Sequence, residues 1–171
     1  MLILGIDPGT AITGYGLVHE NDAGLSLVAY GVITTPAGQS LSERLQIIYQ
    51  GLRDVIREHQ PEAAAVEELF FSRNVRTALS VGHARGVILL ALADAGLPVH
   101  EYKPAQVKQA VAGYGGADKR QVQEMVRMLL DLEHVPKPDD AADAVAVAVC
   151  HIHSARMAAM IADADQITDA G

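Results

Sequence analysis

The chain has 171 residues, half of them apolar, and a net charge of −8 at pH 7. This length is enough for one well-buried core and too short for two ordinary domains. The single cysteine, Cys150, excludes an internal disulfide and a zinc site built from cysteines. The acidic balance also argues against a protein that binds nucleic acid over its whole surface, because phosphate binding needs basic side chains.

The charge is uneven along the chain. Residues 70–127 carry eight basic and four acidic side chains, a local balance of +4, whereas the remainder carries −12. Scattered, solvated charges would give the same counts, but the pattern also permits one confined phosphate-binding face on an acidic body. Composition therefore allows a DNA-binding protein without requiring one.

No segment has the features of a targeting signal or a membrane span. Asp7 interrupts the first apolar run and no basic segment precedes it, so we expect no signal peptide. No stretch combines the length and the low charge needed to cross a bilayer. We therefore expect a cytoplasmic protein that does not bind membranes.

The N-terminal part is predicted to form an antiparallel meander followed by a helix. The expected strands are Leu2–Asp7, Gly14–Glu20 and Leu25–Thr34. Turn residues from Asn21 to Gly24 join the last two strands. Ser40 and Glu43 have the spacing of a capping box, and apolar residues then recur at helical period to about His59.

The rest of the chain alternates helices with short strands. The expected elements are a strand over 63–66, a helix over 75–95, a strand over 99–102, a helix over 104–112, a helix capped by Asp118, and a last helix from about 139. The order β-β-β-α-β-α-β-α-α-α indicates an α/β domain. Because a helix separates the fourth strand from the meander, we expect that strand to run parallel to the first.

Two acidic residues are predicted to end neighbouring strands. Asp7 follows a run of large aliphatic residues, and Pro8 and Gly9 then stop the strand. A carboxylate beside an apolar core is costly to desolvate unless a cation, a metal ion or several donors face it. Parallel pairing of the first and fourth strands would bring Glu67 beside Asp7, so the sequence predicts an anionic site at this edge of the sheet.

The last helix carries three aspartates among alanines and valines. Residues three apart on a helix lie on one face, with about 5–6 Å between their Cβ atoms, so Asp140 and Asp143 can point at one site. Asp139 suits a helix cap near the positive end of the helix. A cap does not explain Asp143, which lies one turn inside an apolar helix.

Four segments occur in a specific order and spacing. They are Gly5-Ile6-Asp7-Pro8-Gly9 with Gly14-Tyr15-Gly16, Val66-Glu67-Glu68-Leu69-Phe70 with Arg73-Asn74, Gln106-Val107-Lys108-Gln109, and Asp140-Ala141-Ala142-Asp143-Ala144. Together they resemble the RuvC family of Holliday junction resolvases, in the RNase H-like superfamily, over about Met1 to His153. The resemblance implies an RNase H-like fold, a five-stranded mixed sheet with three antiparallel and then two parallel strands, flanked by helices. We expect one nuclease domain over 1–160 and a frayed or disordered acidic tail over 161–171.

The resemblance also implies the chemistry. It identifies Asp7, Glu67, Asp140 and Asp143 as a catalytic acidic tetrad that binds two Mg²⁺ ions, with Mn²⁺ as a substitute. Four acids at one place repel one another, and ligation by oxygen alone favours these ions over zinc. The implied reaction is symmetric nicking of two strands of a Holliday junction in homologous recombination and DNA repair, leaving 5′-phosphate ends.

The resemblance further implies DNA contacts and partners. The candidate DNA-binding residues are Phe70, Arg73, Asn74, Arg76, Lys108 and Lys119, where solvated lysines and ordinary packing are the alternatives. Resolvases of this family act as homodimers on a two-fold symmetric four-way junction and work with the branch-migration helicase complex of RuvA and RuvB. The apolar segment Val81–Leu92 is the candidate dimer interface, although burial within the monomer would give the same pattern.

Three alternative functions remain open from the sequence. An RNase H-like nuclease that acts on RNA would share the acids, but such proteins are usually shorter and lack the segment from Phe70 to Arg76. The run Gly5–Thr10 also resembles the first phosphate loop of actin-like ATPases, which need two such domains. A non-catalytic junction-binding module would not need all four acids.

Overall fold

The computed structural model describes the backbone of residues 1–68 and 75–169 and the side chains of residues 1–68 and 78–164. Its strands are β1 (Leu2–Asp7), β2 (Ile12–Asn21), β3 (Gly24–Thr34), β4 (Ala63–Glu67) and β5 (Val99–Tyr102). Its helices are α1 (Leu41–His59), α2 (Val75–Asp94), α3 (Pro104–Ala112), α4 (Lys119–Leu129) and α5 (Asp139–Asp169). The element order is the one that the sequence predicts.

The five strands form one mixed sheet in the order β3-β2-β1-β4-β5. β1 pairs antiparallel with β2, and β2 pairs antiparallel with β3. β4 runs parallel to β1, and β5 runs parallel to β4. The predicted arrangement of three antiparallel strands followed by two parallel strands is therefore confirmed.

Helices cover both faces of the sheet. Ile3 and Val18 face α3, α4 and α5, whereas Leu4 and Leu17 face α1 and α2. Successive side chains of a strand point to opposite faces, so a strand that is covered on both sides is apolar at every position. This explains the unbroken aliphatic run that leads to Asp7.

Capping boxes fix where two helices begin. At α1, the Glu43 amide donates to the Ser40 hydroxyl at 3.4 Å, and the Ser40 amide donates to the Glu43 carboxylate at 2.8 Å. At α4, the Asp118 carboxylate accepts from the Gln121 amide at 2.9 Å. These caps satisfy amides that have no partner within the helix, and the second one fixes Lys119 as the first residue of α4.

Glycines allow α5 to lie directly on the sheet. A Cβ atom at Gly5 would overlap with the backbone of Ala144 and Ala148, and one at Gly14 would overlap with the carbonyl oxygen of Asp140. Side chains at these positions would hold the helix away from the strands. The glycines therefore set the distance between the acids of α5 and the strand that ends at Asp7.

The second half of α5 extends beyond the region that packs on the sheet. The sequence predicted a frayed or disordered tail over 161–171, whereas the helix continues to Asp169. Alanine and methionine are strong helix formers, and Arg156 ties this half of the helix to Glu20 of β2 at 2.9 Å. The division of the chain at residue 160 stays a prediction.

One helix is long and apolar enough, by length and composition alone, to cross a membrane, which the sequence analysis did not expect. This segment is Asp139–Ala164 of α5, and half of its most apolar window is buried within the protein. Valines and alanines of its first half belong to the core against β1 and β2. Packing against the sheet therefore accounts for its composition, as in other core helices.

Candidate active site

Two of the predicted acids end adjacent parallel strands. β1 and β4 pair through Ile6 and Val66, and the next residues are Asp7 and Glu67. Both acidic side chains are half-buried. Because parallel strands end at the same edge of a sheet, the two carboxyl groups belong to one site.

The other two predicted acids reach the same edge from α5. Asp140 and Asp143 lie in the first turns of the helix and are also half-buried. Gly14, which pairs with Asp7 across the sheet, lies directly beneath the backbone of Asp140. The absence of a side chain at Gly14 thus brings the start of the helix to the end of β1.

The electrostatics of the acids show that they interact. Burial raises the pKa of Asp7 to about 8, and the charges of Glu67, Asp143 and Asp140 add to this rise. Burial also raises the pKa of Glu67 to about 7, again with a contribution from Asp143. These shifts are those expected of carboxylates that share a poorly solvated site.

Lys119 forms an ion pair with Asp143, one of the helix acids. Its Nζ atom lies 2.7 Å from an Asp143 carboxylate oxygen and 3.6 Å from one of Asp139. Burial favours the neutral form of Lys119, but the hydrogen bond to Asp143 and the neighbouring acids outweigh this effect and raise its pKa. Burial raises the pKa of Asp143 although Lys119 opposes the rise.

Asp139 differs from the other acids of the site. The sequence favoured it as a cap, but it is the first residue of α5, and its carboxylate accepts a hydrogen bond from Lys137 Nζ at 3.0 Å. This bond lowers the pKa of Asp139, with a further contribution from Lys119. Asp139 is therefore an ion-paired surface residue beside the site.

A cleft of about 170 Å³ connects the acids with two lysines. Glu67, Asp143, Lys108 and Lys119 all line it. The charge of Lys108 also lowers the pKa of Glu67, against the larger effect of burial. The structure thus brings both lysines that the sequence singled out to the edge of the acidic site.

The remaining candidate DNA contacts cannot be placed in the same way. Phe70, Arg73 and Asn74 lie outside the described residues. Arg76 belongs to the first turn of α2, but its side chain also lies outside the described part. These four assignments stay predictions.

The donors of the site suit a hard divalent cation, because carboxylate oxygens are the ligands that Mg²⁺ and Mn²⁺ prefer. Within the part of the chain that the structure describes, however, no three His, Cys, Asp or Glu residues are grouped closely enough to hold an ion as they stand. Asp143 is paired with Lys119 instead. Binding an ion therefore requires the carboxylates to move closer together, in competition with Lys119 for Asp143.

Two histidines of α5 have protein partners rather than a metal. The Nδ1 atom of His151 lies 2.8 Å from the Tyr102 hydroxyl, and burial, helped by His100, lowers the pKa of His151 to about 4. The Nδ1 atom of His153 lies 3.0 Å from the carbonyl oxygen of Ala110. Cys150 is buried beside them, as expected of a small apolar residue.

A groove on the other side of the acids was missed by the sequence analysis. Its volume is about 490 Å³, and its lining residues are Gly9, Thr10, Ala11, Ile12, Arg44, Ser80, Val81 and Asp140. It shares no residue with the cleft of Lys108 and Lys119. No sequence signal distinguishes Arg44 from the other arginines of α1, because all follow the same amphipathic pattern.

The largest cavity lies away from the acids. It has a volume of about 740 Å³ between α3 and the second half of α5, and Gln109, His153 and Met157 are among its lining residues. None of the four acids contributes to it. Glu67 and Asp143 instead line the smaller cleft, and Asp140 lines the groove beside it.

The sequence matches the family model described as crossover junction endodeoxyribonuclease RuvC over residues 3–151. The chain belongs to the RuvC family. Curated RuvC proteins of Chloroflexus aurantiacus and Roseiflexus sp. are 63% and 64% identical to it, over 91% and 90% of the chain and 94% and 92% of those proteins. The resemblance drawn from the four sequence segments is therefore confirmed.

The structural comparison agrees with the family. The structure of T. thermophilus RuvC in complex with Holliday junction substrate is 40% identical in sequence and superposes with a TM-score of 0.84. The match covers 92% of this chain and 96% of the T. thermophilus chain. The fold class is thus the RNase H-like fold of RuvC proteins. RuvC proteins are metal-dependent crossover junction endodeoxyribonucleases, and membership of this family decides against the ATPase fragment and the RNA nuclease.

Proposed function

We propose that this RuvC-family chain resolves Holliday junctions by nicking two strands symmetrically, with Mg²⁺ held by Asp7, Glu67, Asp140 and Asp143. The observation that carries the proposal is the electrostatic coupling of four acids from β1, β4 and α5 at one edge of the sheet. No ordinary packing role explains why Asp7 and Glu67 end adjacent strands with raised pKa values to which the acids of α5 contribute. A divalent cation compensates such a cluster.

The chemistry follows from the donors and the lysines. Two ions held by Asp7, Glu67, Asp140 and Asp143 would supply the charge needed to activate a water molecule and to stabilise the leaving 3′ oxygen, and the products would carry 5′-phosphate and 3′-hydroxyl ends. Asp7 and Glu67 must lose their protons to act as ligands, so their raised pKa values make ion binding depend on pH. Lys108 and Lys119 line the adjacent cleft and would stabilise the negative charge of the reacting phosphate.

The substrate is held by additional contacts that the family resemblance suggests. We assign base stacking to Phe70, because an aromatic ring can stack on any exposed base. Arg73, Asn74 and Arg76 would contact the sugar-phosphate backbone near it. These contacts would let an acidic protein bind DNA, because residues 70–127 carry a local balance of +4 while the remainder of the chain carries −12.

A homodimer fits the exposed face of α2. Ala84 and Ile88 of this helix are fully buried within the subunit, whereas Leu79 and Leu90 on its other side are 59% and 55% exposed. The two leucines are eleven residues apart, three helical turns, so they lie on one stripe. A two-fold contact along this stripe would cover both leucines and place two sites on one symmetric junction. A purely monomeric species in sedimentation at micromolar concentration would contradict the dimer.

The cellular setting follows from the same assignment. A Holliday junction resolvase acts on chromosomal DNA, so we place the protein in the cytoplasm, in contact with the branch-migration complex of RuvA and RuvB. Co-purification of the chain with RuvA and RuvB on a junction tests this contact, and exclusion of the chain from that complex would contradict it.

The decisive experiment compares substrates, metal and one acid. The protein is incubated with an end-labelled four-way junction, a linear duplex and an RNA–DNA hybrid, with Mg²⁺ or with EDTA. We expect paired nicks in the junction alone, only with Mg²⁺, and 5′-phosphate ends. Asp7→Asn should reduce nicking by about 10³-fold or more, whereas the control Asp22→Asn changes an exposed hairpin acid and should have no effect.

Three results would contradict the proposal. Equal cutting of all three substrates would remove junction specificity. Nicking by Asp7→Asn at the rate of the unaltered protein would show that Asp7 takes no part in the reaction. Nicking of the junction in EDTA would show that the reaction does not need a metal ion.

A further inference from the structure

The groove beside Asp140 lies on the side of the site that the two lysines do not reach. Arg44 of α1 and Ser80 of α2 line its walls, together with residues 9–12, which directly follow the strand that ends in Asp7. The lysines belong to α3 and α4, which cover the opposite face of the sheet. A DNA strand that crosses the acids would therefore leave the lysine cleft on one side and enter this groove on the other.

Arg44 is held in place by two threonines. Its Nε atom donates to the Thr35 hydroxyl oxygen at 2.8 Å, and that hydroxyl donates to the Thr10 carbonyl oxygen at 2.6 Å. Thr10 and Thr35 are both buried. The guanidinium is thus tied, through one hydroxyl, to the loop that follows Asp7, and a side chain fixed in this way loses little entropy when it binds a ligand.

The wall of the groove is fixed as well. The Thr10 hydroxyl lies 2.6 Å from the Ser80 carbonyl oxygen and 2.7 Å from the Ser80 hydroxyl. These bonds join α2 to the loop. Hydrogen bonds therefore fix Arg44 relative to Ser80 and to the loop that follows Asp7.

Arg44 has no carboxylate partner among residues 1–68 and 78–164. The arginines that pair with carboxylates in this part of the chain are Arg57, Arg85, Arg127 and Arg156. The adjacent acid, Glu43, instead accepts hydrogen bonds from the amide and hydroxyl of Ser40, at 2.8 and 2.6 Å. A half-buried cation without an anion is costly, although the chain has 21 acidic residues that could pair with it. The terminal nitrogens of Arg44 are therefore left for an external anion.

We propose that Arg44 binds a backbone phosphate of the cleaved DNA strand, next to the phosphate at the acids. A planar guanidinium matches the oxygens of a phosphate diester and can donate two hydrogen bonds to them. The contact fixes the strand on the α1 side of the acids, while Lys108 and Lys119 act on the other side. This inference rests on the proposed nuclease function and adds a second contact point for the same strand.

The test uses the salt dependence of binding, because each phosphate contact that is lost reduces the slope of log K against log salt by about 0.7–0.9. Binding of a four-way junction is measured by titration in EDTA between 50 and 300 mM KCl, concentrations of the order over which such slopes are read. Arg44→Met should weaken binding by about 3- to 10-fold, the loss expected for one contact of a charged group. It should also reduce the magnitude of the slope by about 0.7–0.9 for each bound subunit. Arg44→Lys should retain most of the slope, because it keeps the charge.

The matched control lies on the same helix. Arg57→Met removes one positive charge that is 81% exposed and is paired with Asp54, and it should leave the slope unchanged. Melting curves of all variants check that each one is folded. An unchanged slope for Arg44→Met, or an equal change for Arg57→Met, would overturn the inference while junction nicking by the unaltered protein upheld the proposed function. Failure of the unaltered protein to bind or nick the junction would overturn both.

Discussion

The two strand acids and the two helix acids meet in one site, but they differ in how their charge is compensated. Asp7 and Glu67 form no ion pair or hydrogen bond through their side chains within the described residues, and their pKa values rise to about 8 and about 7. Asp143 instead contacts the Lys119 ammonium at 2.7 Å. Without metal, burial and repulsion therefore favour the protonated forms of the strand pair, whereas Asp143 of the helix pair is compensated by an internal cation.

This difference shows what an arriving ion must displace. At the strand ends it competes with protons, because carboxylates bind metals only in their ionised form. At the helix it competes with Lys119 for Asp143. Protons and Lys119 thus reduce the repulsion among the acids when no metal is bound. This explains why the described acids interact electrostatically although no three of them are grouped closely enough to hold an ion.

Apart from the loss of an acid itself, the largest effect is expected from a change that pushes the two pairs apart. A Cβ atom in Gly14→Ala would overlap with the Asp140 carbonyl, so α5 must shift away from β1 and β2. Overpacking of this kind costs about 1–3 kcal/mol, and a displacement of about 1 Å in a catalytic group can cost about 100-fold in rate. We expect junction nicking to fall by at least about 100-fold, measured beside the melting temperature.

The control for this change is Gly38→Ala. No atom lies within 4 Å of a Cβ built at Gly38, so neither activity nor stability should change. Full nicking activity in a destabilised Gly14→Ala protein would show that the spacing of strand and helix acids does not depend on this glycine.

The next effect separates the internal cation from the substrate contact. Lys119→Met removes the ammonium that competes for Asp143, so Mn²⁺ binding measured by electron paramagnetic resonance should tighten by about 30-fold, the effect of one unit charge about 4 Å from a divalent ion in water. Junction nicking at saturating metal should still fall by about 10- to 100-fold, below the range for a buried electrostatic donor, because the reacting phosphate loses a cation.

Lys137→Met is the matched control. Lys137 pairs with Asp139 at 3.0 Å, and within the described residues it forms no ion pair with Asp143. Its loss removes the same charge from the same end of α5 and should change neither property by more than about twofold. If both variants tighten Mn²⁺ binding equally, the effect comes from the general field and not from the pairing of Lys119 with Asp143.

The edge of the sheet could be predicted from the sequence because local chemistry determines it. Pro8 and Gly9 end β1 at Asp7, and the capping residues start α1 and α4 where predicted. The parallel register of β1 and β4 followed from the intervening helix, and it sufficed to bring Glu67 beside Asp7. Strand ends and helix caps depend on a few neighbouring residues, so tertiary packing does not change where they occur.

The compensation of the acids could not be predicted in the same way. The contact of Lys119 with Asp143 depends on how α4 packs against α5, and the bond from Arg44 to Thr35 depends on how α1 approaches the β1–β2 loop. Neither packing has a signature in residue spacing. The length of α5 was underestimated because an acidic, alanine-rich end has no stop signal and was assigned to a tail.

The smallest expected effect is a pH dependence that isolates the strand pair. In the folded protein the pKa of Asp7 is raised from its ordinary value of 3.8 to about 8, and that of Glu67 is raised from 4.5 to about 7. The folded protein therefore binds protons that the unfolded chain has released, and its stability falls as pH rises through this window. His151 acts oppositely below pH 6.5, because folding lowers its pKa from the ordinary value of 6.5 to about 4.

The interval from pH 6.5 to 8 is therefore the informative one. In EDTA the melting temperature should decline across it, by roughly 2–4 °C for each kcal/mol lost in a chain of this size, and Asp7→Asn should remove much of the decline. Excess Mg²⁺ should also reverse it, since an ion bound only by the folded state stabilises that state more as the carboxylates ionise. A melting temperature that is flat or rising over this interval in EDTA would mean that the strand acids are compensated without protons, and the contrast between the two pairs would be wrong.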